Sequence, residues 1–135
     1  MPTSKKYRRK NEHGVKHLGR YLLETRDKEI VLSPTPQMSL TCYVDSDFAG
    51  NWDAKEAPDN LDTARSRSGY IVLFAGAPLH WRSKLQTIIS LSTAKSELVA
   101  LSVATRFVKS MMHLLEELNE RGIKVIGSAV QWILL

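Results

Sequence analysis

The stretch CYVDSDFAGNW, residues Cys42–Trp52, describes a strand that runs into two carboxylates and then a glycine turn. A period-two pattern begins at Ser39 and separates two faces, which are Leu40, Cys42 and Val44 against Thr41, Tyr43 and Asp45. Acids are poor strand formers, so Asp45 at the end of an otherwise apolar strand needs an explanation. Asp47 stands just before Ala49 and Gly50, a position typical of a turn residue.

A hairpin is predicted next along the chain. The segment Arg67–Ala75 (RSGYIVLFA) has strand character, residues 76–78 form a turn, and Leu79–Ser83 (LHWRS) runs back. Together with the strand that begins at Ser39, the hairpin gives three successive antiparallel strands. Residues 50–66 between them are predicted to be a polar loop.

A long helix follows the hairpin. Ser90, Ser92 or Thr93 is a candidate cap, and Gly122 is well placed to end the helix. Residues 123–126 then begin a possible fourth strand. Three strands, a long helix and a strand start predict an α/β fold, with the helix packed on one face of a mixed sheet.

The N-terminal part is basic and then amphipathic. Five lysines and arginines crowd the first ten residues, which suggests either a solvated terminus or an arm that contacts phosphates. Apolar residues spaced for one helical face predict a packing helix near residues 12–25. Lys28–Leu32 (KEIVL) is predicted to be a short strand, and Pro34 and Pro36 make residues 33–37 a boundary.

Composition narrows the class of protein. The chain has 135 residues, a formal charge of +5 and one cysteine, so an intrachain disulfide and a cysteine-built zinc site are excluded. No apolar run of about 20 residues predicts a membrane span, and no secretory signal follows the basic N-terminus. We therefore expect an intracellular protein, cytoplasmic or nuclear, not secreted and without a membrane partner. The positive charge permits a polyanionic partner.

Two acids stand out as candidates for chemistry. Steps of three and four along the helix give one apolar face, which reads backwards as Leu118, Leu115, Met111, Val108, Ala104 and Leu101 and ends at Glu97. An ionised carboxylate there needs a partner or a metal, unless the first turn projects beyond the sheet and faces water. If the face that carries Asp45 packs against this helix, Asp45 and Glu97 converge. Two such carboxylates can bind a hard divalent cation, and a third would allow two-metal phosphodiester cleavage.

The motifs in their order carry a resemblance to a known family. YVDSDFAGNW, then ARSRSGYIVLFAGAPLHWRSKLQTIISLSTAKSELVALS, then a helix ending LLEEL, resembles the ribonuclease H domain of copia-type LTR retrotransposon Pol polyproteins. The similarity runs from about His13 to Val125. The segment HGVKHLGRYLLETRDKEIVL resembles the connection between reverse transcriptase and ribonuclease H.

The resemblance implies a metal-dependent hydrolase of RNA in RNA–DNA hybrids. It makes Asp45 and Glu97 metal ligands and catalytic residues, with Mg²⁺, or Mn²⁺ in its place, as the cofactor. An intact polyprotein would also contain a reverse transcriptase domain as a partner. Lys95 departs from the family, which has an acid there, and the family's third carboxylate is missing because the similarity stops near Val125.

These considerations predict a partial ribonuclease-H-like fold in three parts. Residues 1–37 are the basic arm and connecting helix, 38–126 the partial domain with a fourth strand only begun, and 127–135 a divergent tail resembling a truncated or frame-shifted end. The expected activity is ribonuclease H cleavage, impaired by truncation, and the alternatives are a non-catalytic nucleic-acid-binding remnant and a functionless one. Four residues entering the hairpin are candidate nucleic-acid contacts, with a polar loop as the other interpretation: Arg65, Ser66, Arg67 and Ser68.

Overall fold

The computed structural model describes residues 3–125 and 130–135, with side chains from residue 12 onward. The chain divides into two compact units, Met1–Val31 and Leu32–Leu135, and each is described by itself. The first unit contains helix α1 (Thr3–Thr25). The second contains these elements in order: β1 (Leu40–Asp47), a 3-10 turn (Leu61–Ala64), β2 (Arg67–Phe74), β3 (Ala77–Leu85), α2 (Thr93–Glu120) and β4 (Val130–Leu134).

The four strands form one mixed sheet in the order β3-β2-β1-β4. β1 pairs antiparallel with β2, with Asp45 opposite Gly69, and β2 pairs antiparallel with β3. A two-residue turn joins β2 to β3, and both of its residues, Ala75 (φ 52°) and Gly76 (φ 79°), have the positive φ values that tight hairpins require. β4 lies parallel to β1 on its other side, with Leu40 opposite Val130. The fold is therefore α/β with a mixed sheet, as predicted.

The core lies between one face of the sheet and α2. Side chains at alternate positions of β1 and β2 pack against small residues on the helix: Leu40, Cys42, Val44, Tyr70, Val72, Ala100, Ala104 and Val108. Small side chains at four-residue spacing allow the helix to lie close to the strands. Ser92 caps α2 by accepting a hydrogen bond from the Lys95 N–H at 3.2 Å, and Gly122, at a φ of 85°, follows its end.

Length and composition alone would allow α2 to cross a membrane. That criterion is weak for a single helix, since the core helix of a sheet-packed domain also satisfies it. Here Ala100, Ala104 and Val108 are buried against β1 and β2.

Three predictions about boundaries need correction. α1 begins at Thr3 rather than near residue 12, so the basic stretch is helical in its backbone, although its side chains lie outside the described residues. Lys28–Leu32 is not a strand, because it has no strand partner in the described part of the chain, and β propensity alone does not hold an extended segment. The fourth strand is not begun at 123–125 but lies at Val130–Leu134, inside the segment predicted to be a divergent tail; Ile126 lies outside the described residues.

Candidate functional site

Asp45 lies near the end of β1 and is exposed. Leu40, Cys42 and Val44 are the buried side of the strand, so alternation places Asp45 on the face that points away from α2. The expectation that the Thr41–Tyr43–Asp45 face packs against the helix is therefore wrong. The Asp45 Oδ1 atom accepts a hydrogen bond from the next backbone N–H, that of Ser46, at 2.7 Å.

Glu97 lies in the second turn of α2 and is half-buried. The buried stripe continues back from Val108 through Ala104 and Ala100 to Ser96, which is fully buried, so the stripe ends one residue before Glu97. The Ser96 hydroxyl donates to the Thr93 carbonyl at 2.7 Å, which satisfies its hydrogen-bonding capacity within the helix. The core therefore ends on a serine, and Glu97 stands beside it at the margin of the helix–sheet contact.

A buried hydrogen-bonded network joins the chain positions next to the two acids. The Gln86 side chain lies at its centre, with Nε2 donating to the Ser68 hydroxyl and to the Ser96 carbonyl, both at 2.9 Å. The Ser90 hydroxyl donates to Gln86 Oε1 at 2.9 Å. Ser68 pairs across the sheet with Ser46, the neighbour of Asp45, and Ser96 is the neighbour of Glu97. Both acids thus lie at the same end of the fold.

Sequence reasoning missed this network. Its members are short polar residues spread over two strands, a loop and a helix, and only the three-dimensional packing brings them together. One signal was present in the sequence, because Ser68 lies on the same strand face as Tyr70 and Val72, which are core residues.

The two acids do not by themselves fit the two-metal site that the family resemblance implies. Within residues 3–125 and 130–135, no group of three or more histidine, cysteine or acidic side chains is arranged to hold a metal ion. Asp45 and Glu97 also start from opposite sides of the sheet plane. The predicted metal-binding and catalytic roles of both residues stay predictions.

Asp47 takes part in the turn after β1. Its carboxylate lies over Gly50, where any Cβ atom would overlap it, and the Trp52 N–H donates to the Ala49 carbonyl at 2.8 Å. This arrangement agrees with the interpretation of Asp47 as a turn residue.

The four candidate nucleic-acid contacts before and within β2 divide into two pairs. Ser66 and Ser68 are buried, and their hydroxyls accept hydrogen bonds from the Ala49 N–H and from Gln86, so they present no surface to a phosphate. Arg65 donates to the Asp62 carboxylate at 2.8 Å, and Arg67 is half-buried. Phosphate contact stays a prediction for these two arginines.

Comparison with known proteins relates the chain to retrotransposon sequences. It is 33% identical over 109 residues to the retrovirus-related Pol polyprotein from transposon TNT 1-94 of Nicotiana tabacum, a match that covers 81% of this chain. A second match, 31% identical over 123 residues and 90% of this chain, is the retrovirus-related Pol polyprotein from transposon RE1 of Arabidopsis thaliana. The chain spans 7% of the length of each of these polyproteins. It is therefore related to one region of transposon Pol polyproteins.

A shorter relative has a different description. The secreted RxLR effector protein 161 of Plasmopara viticola is 33% identical over 92 residues, which cover 68% of this chain and 58% of that protein. No family model matches the chain, and no solved structure matches it.

Proposed function

We propose that this chain is the ribonuclease H region of a retrotransposon Pol polyprotein, with impaired cleavage of RNA in RNA–DNA hybrids. The observation that carries the proposal is its relationship to transposon Pol polyproteins over most of its length. The fold agrees, since a strand, a hairpin and a long helix on a mixed sheet follow in the order that the resemblance implies. The RNA–DNA hybrid is the proposed substrate, and the reverse transcriptase domain of an intact polyprotein is the proposed partner.

The impairment is supported by the arrangement of the acids. Two-metal hydrolysis needs carboxylates that clamp both the attacking and the leaving oxygen. In the described part of the chain, Asp45 and Glu97 have no third acid grouped with them, and Asp45 starts from the sheet face opposite the helix. For the parent activity the proposed cofactor is Mg²⁺, with Mn²⁺ as a substitute. The proposed location is intracellular.

The test is cleavage of an end-labelled RNA–DNA hybrid by the purified full chain in Mg²⁺ and, separately, in Mn²⁺. Asp45→Asn and Glu97→Gln remove the candidate ligands, and Asp59→Asn, which neutralises an exposed loop carboxylate, is the matched control. We expect all four proteins to cleave at the background rate. Robust cleavage by the unmodified chain and by Asp59→Asn, lost in the other two variants, would contradict the impairment and establish Asp45 and Glu97 as catalytic.

A second candidate is nucleic-acid binding without cleavage. The observation in its favour is a groove with basic side chains on both walls, formed between β3 and α2.

A further inference from the structure

A groove of about 740 Å³ runs between β3 and α2. It exists because α2 packs on β1 and β2, whose buried side chains form the core, and leaves the inner face of the edge strand β3 uncovered. At one end the groove reaches Ser68 and Gln86 of the buried network.

Basic side chains form both walls of this groove. His80, Arg82 and Lys84 occupy alternate positions of β3 and so share the strand face that turns toward α2. Lys95 and Arg106 approach from the helix. No acidic side chain lines the groove in the described ranges, and among the described residues none of these four lysines and arginines forms an ion pair. The four charges are therefore available to an anionic ligand.

The floor of the groove is apolar and preformed. Val99 and Val103 of α2 contribute to it, and the rings of His80 and Phe107 stack with centroids 4.1 Å apart. His80 Nε2 also shares a hydrogen bond of 3.1 Å with the Tyr70 hydroxyl, which orients the imidazole. A ligand that fits this surface carries repeated negative charge on one side and flat or apolar groups on the other.

We propose that the groove binds a single strand of nucleic acid, with phosphates on the basic walls and sugars and bases on the apolar floor. Proteins that bind single strands combine a positive groove that follows the backbone with aromatic or apolar contacts to the bases. Cations two residues apart on a strand are about 6.8 Å apart, which is roughly twice the 3.4 Å axial spacing of phosphates along one strand of a duplex. The choice of a nucleic acid over an acidic peptide rests on the proposed relationship to Pol function.

The test is binding of a fluorescein-labelled 12-mer oligothymidylate to the full chain, followed by anisotropy in EDTA at several NaCl concentrations. The groove variant is Arg82→Glu/Arg106→Glu, which changes one cation on each wall. The matched control is Lys55→Glu/Lys109→Glu, which makes the same change in net charge at exposed positions outside the groove. Thermal melting checks that both variants fold, and Lys84→Gln/Lys95→Gln replaces the groove variant if it does not.

We expect the groove variant to bind at least about tenfold more weakly at low salt than the control. The slope of log affinity against log salt should become shallower by about 1.4, because each phosphate contact on a single strand contributes roughly 0.7. Equal affinities and slopes for the groove variant and the control would overturn the proposal. Displacement of the oligonucleotide by a polyglutamate of equal length as readily as by unlabelled oligonucleotide would also overturn it, in favour of an acidic peptide.

The outcome is separable from that of the proposed function. EDTA removes any divalent metal, so Asp45→Asn should bind the oligonucleotide as the unmodified chain does. A chain that cleaves the hybrid but binds equally well with and without the groove cations contradicts the groove alone. A chain that binds through the groove and gives only background cleavage supports both proposals.

Discussion

The Gln86 side chain donates a 2.9 Å hydrogen bond to the Ser96 carbonyl and so ties the end of β3 to the first turn of α2. Its amide also contacts the hydroxyls of Ser68 and Ser90, and all four residues are buried. Buried polar groups are expensive to leave unpaired, so one side chain that satisfies three others specifies how the helix begins on the sheet.

Gln86→Leu is therefore expected to destabilise the protein, although leucine has a similar size and is apolar. The substitution leaves two hydroxyls and a carbonyl without their partner, and each buried unsatisfied group costs about 1–3 kcal/mol, so a loss of at least about 2 kcal/mol is expected. Urea unfolding measures it, with the exposed neighbouring substitution Thr87→Ala as the control. Equal midpoints for the two variants would mean that water replaces the amide.

Cys42 should give the protein a stability that depends on alkaline pH. The side chain is fully buried, and desolvation raises the pKa of its thiol from 9.0 to about 11. The folded pKa exceeds the unfolded one, so this contribution is fully present below pH 9 and is lost as the pH rises toward 11. A shift of this size corresponds to about 3 kcal/mol.

The measurement compares the unfolding free energies of the unmodified chain and Cys42→Ala at pH 8 and at pH 10.5. Alanine has no ionisable group, so the stability advantage of the unmodified chain should shrink at the higher pH, while other titrating groups affect both proteins alike. The thiol should also resist a thiol reagent until the protein unfolds. Rapid labelling of the native chain at pH 8, or a constant difference at both pH values, would contradict the burial of Cys42.

The sequence predicts the local parts of this fold well. The alternating strand from Leu40, the β2–β3 hairpin and the helix between a serine cap and Gly122 all depend on patterns within a few residues. The position of β4 does not, because parallel pairing with β1 joins residues about 90 positions apart, and an apolar pentapeptide carries no information about its partner.

The candidate site was predicted less well than the fold. Periodicity placed Glu97 on the buried stripe, whereas Ser96 occupies that position, which is a phase difference of one residue. On β1, the sequence left open which of two alternating faces meets the helix, and burial shows that it is the face of Cys42 rather than that of Asp45. Errors of one residue decide on which side a carboxylate lies, and tertiary packing alone settles them.

The basic cluster in α1 should contribute to nucleic-acid binding independently of the groove. Glutamine favours helix as lysine and arginine do, so replacing all five basic residues by glutamine removes charge while keeping the helix: Lys5, Lys6, Arg8, Arg9 and Lys10. We expect weaker binding of the oligothymidylate and a shallower salt slope, additive with the groove variant because the contacts are separate. An unchanged slope would assign all phosphate contacts to other residues.

The outer edge of β4 should make the protein prone to aggregation. The strand shields β1, so the unpaired edge lies on β4 and not beside β1 as the sequence suggested, with no further strand beyond it in the described residues. Exposed edges pair with other chains. The direction of each backbone N–H follows from one contact, since Leu135 donates to the Val44 carbonyl at 3.1 Å. By alternation Ile133 also donates toward β1, and Leu134 points its N–H outward.

Proline at these two neighbouring positions should therefore have opposite effects. Leu134→Pro removes only an outward donor, so it should leave stability nearly unchanged and reduce aggregation, followed by light scattering at increasing protein concentration. Ile133→Pro removes a bond to β1, should cost at least about 1 kcal/mol in urea unfolding, and should increase scattering as β4 detaches and uncovers β1. The reverse order of the two variants would mean that β4 pairs with β1 in a different register, and equal scattering by both would locate the aggregating surface elsewhere.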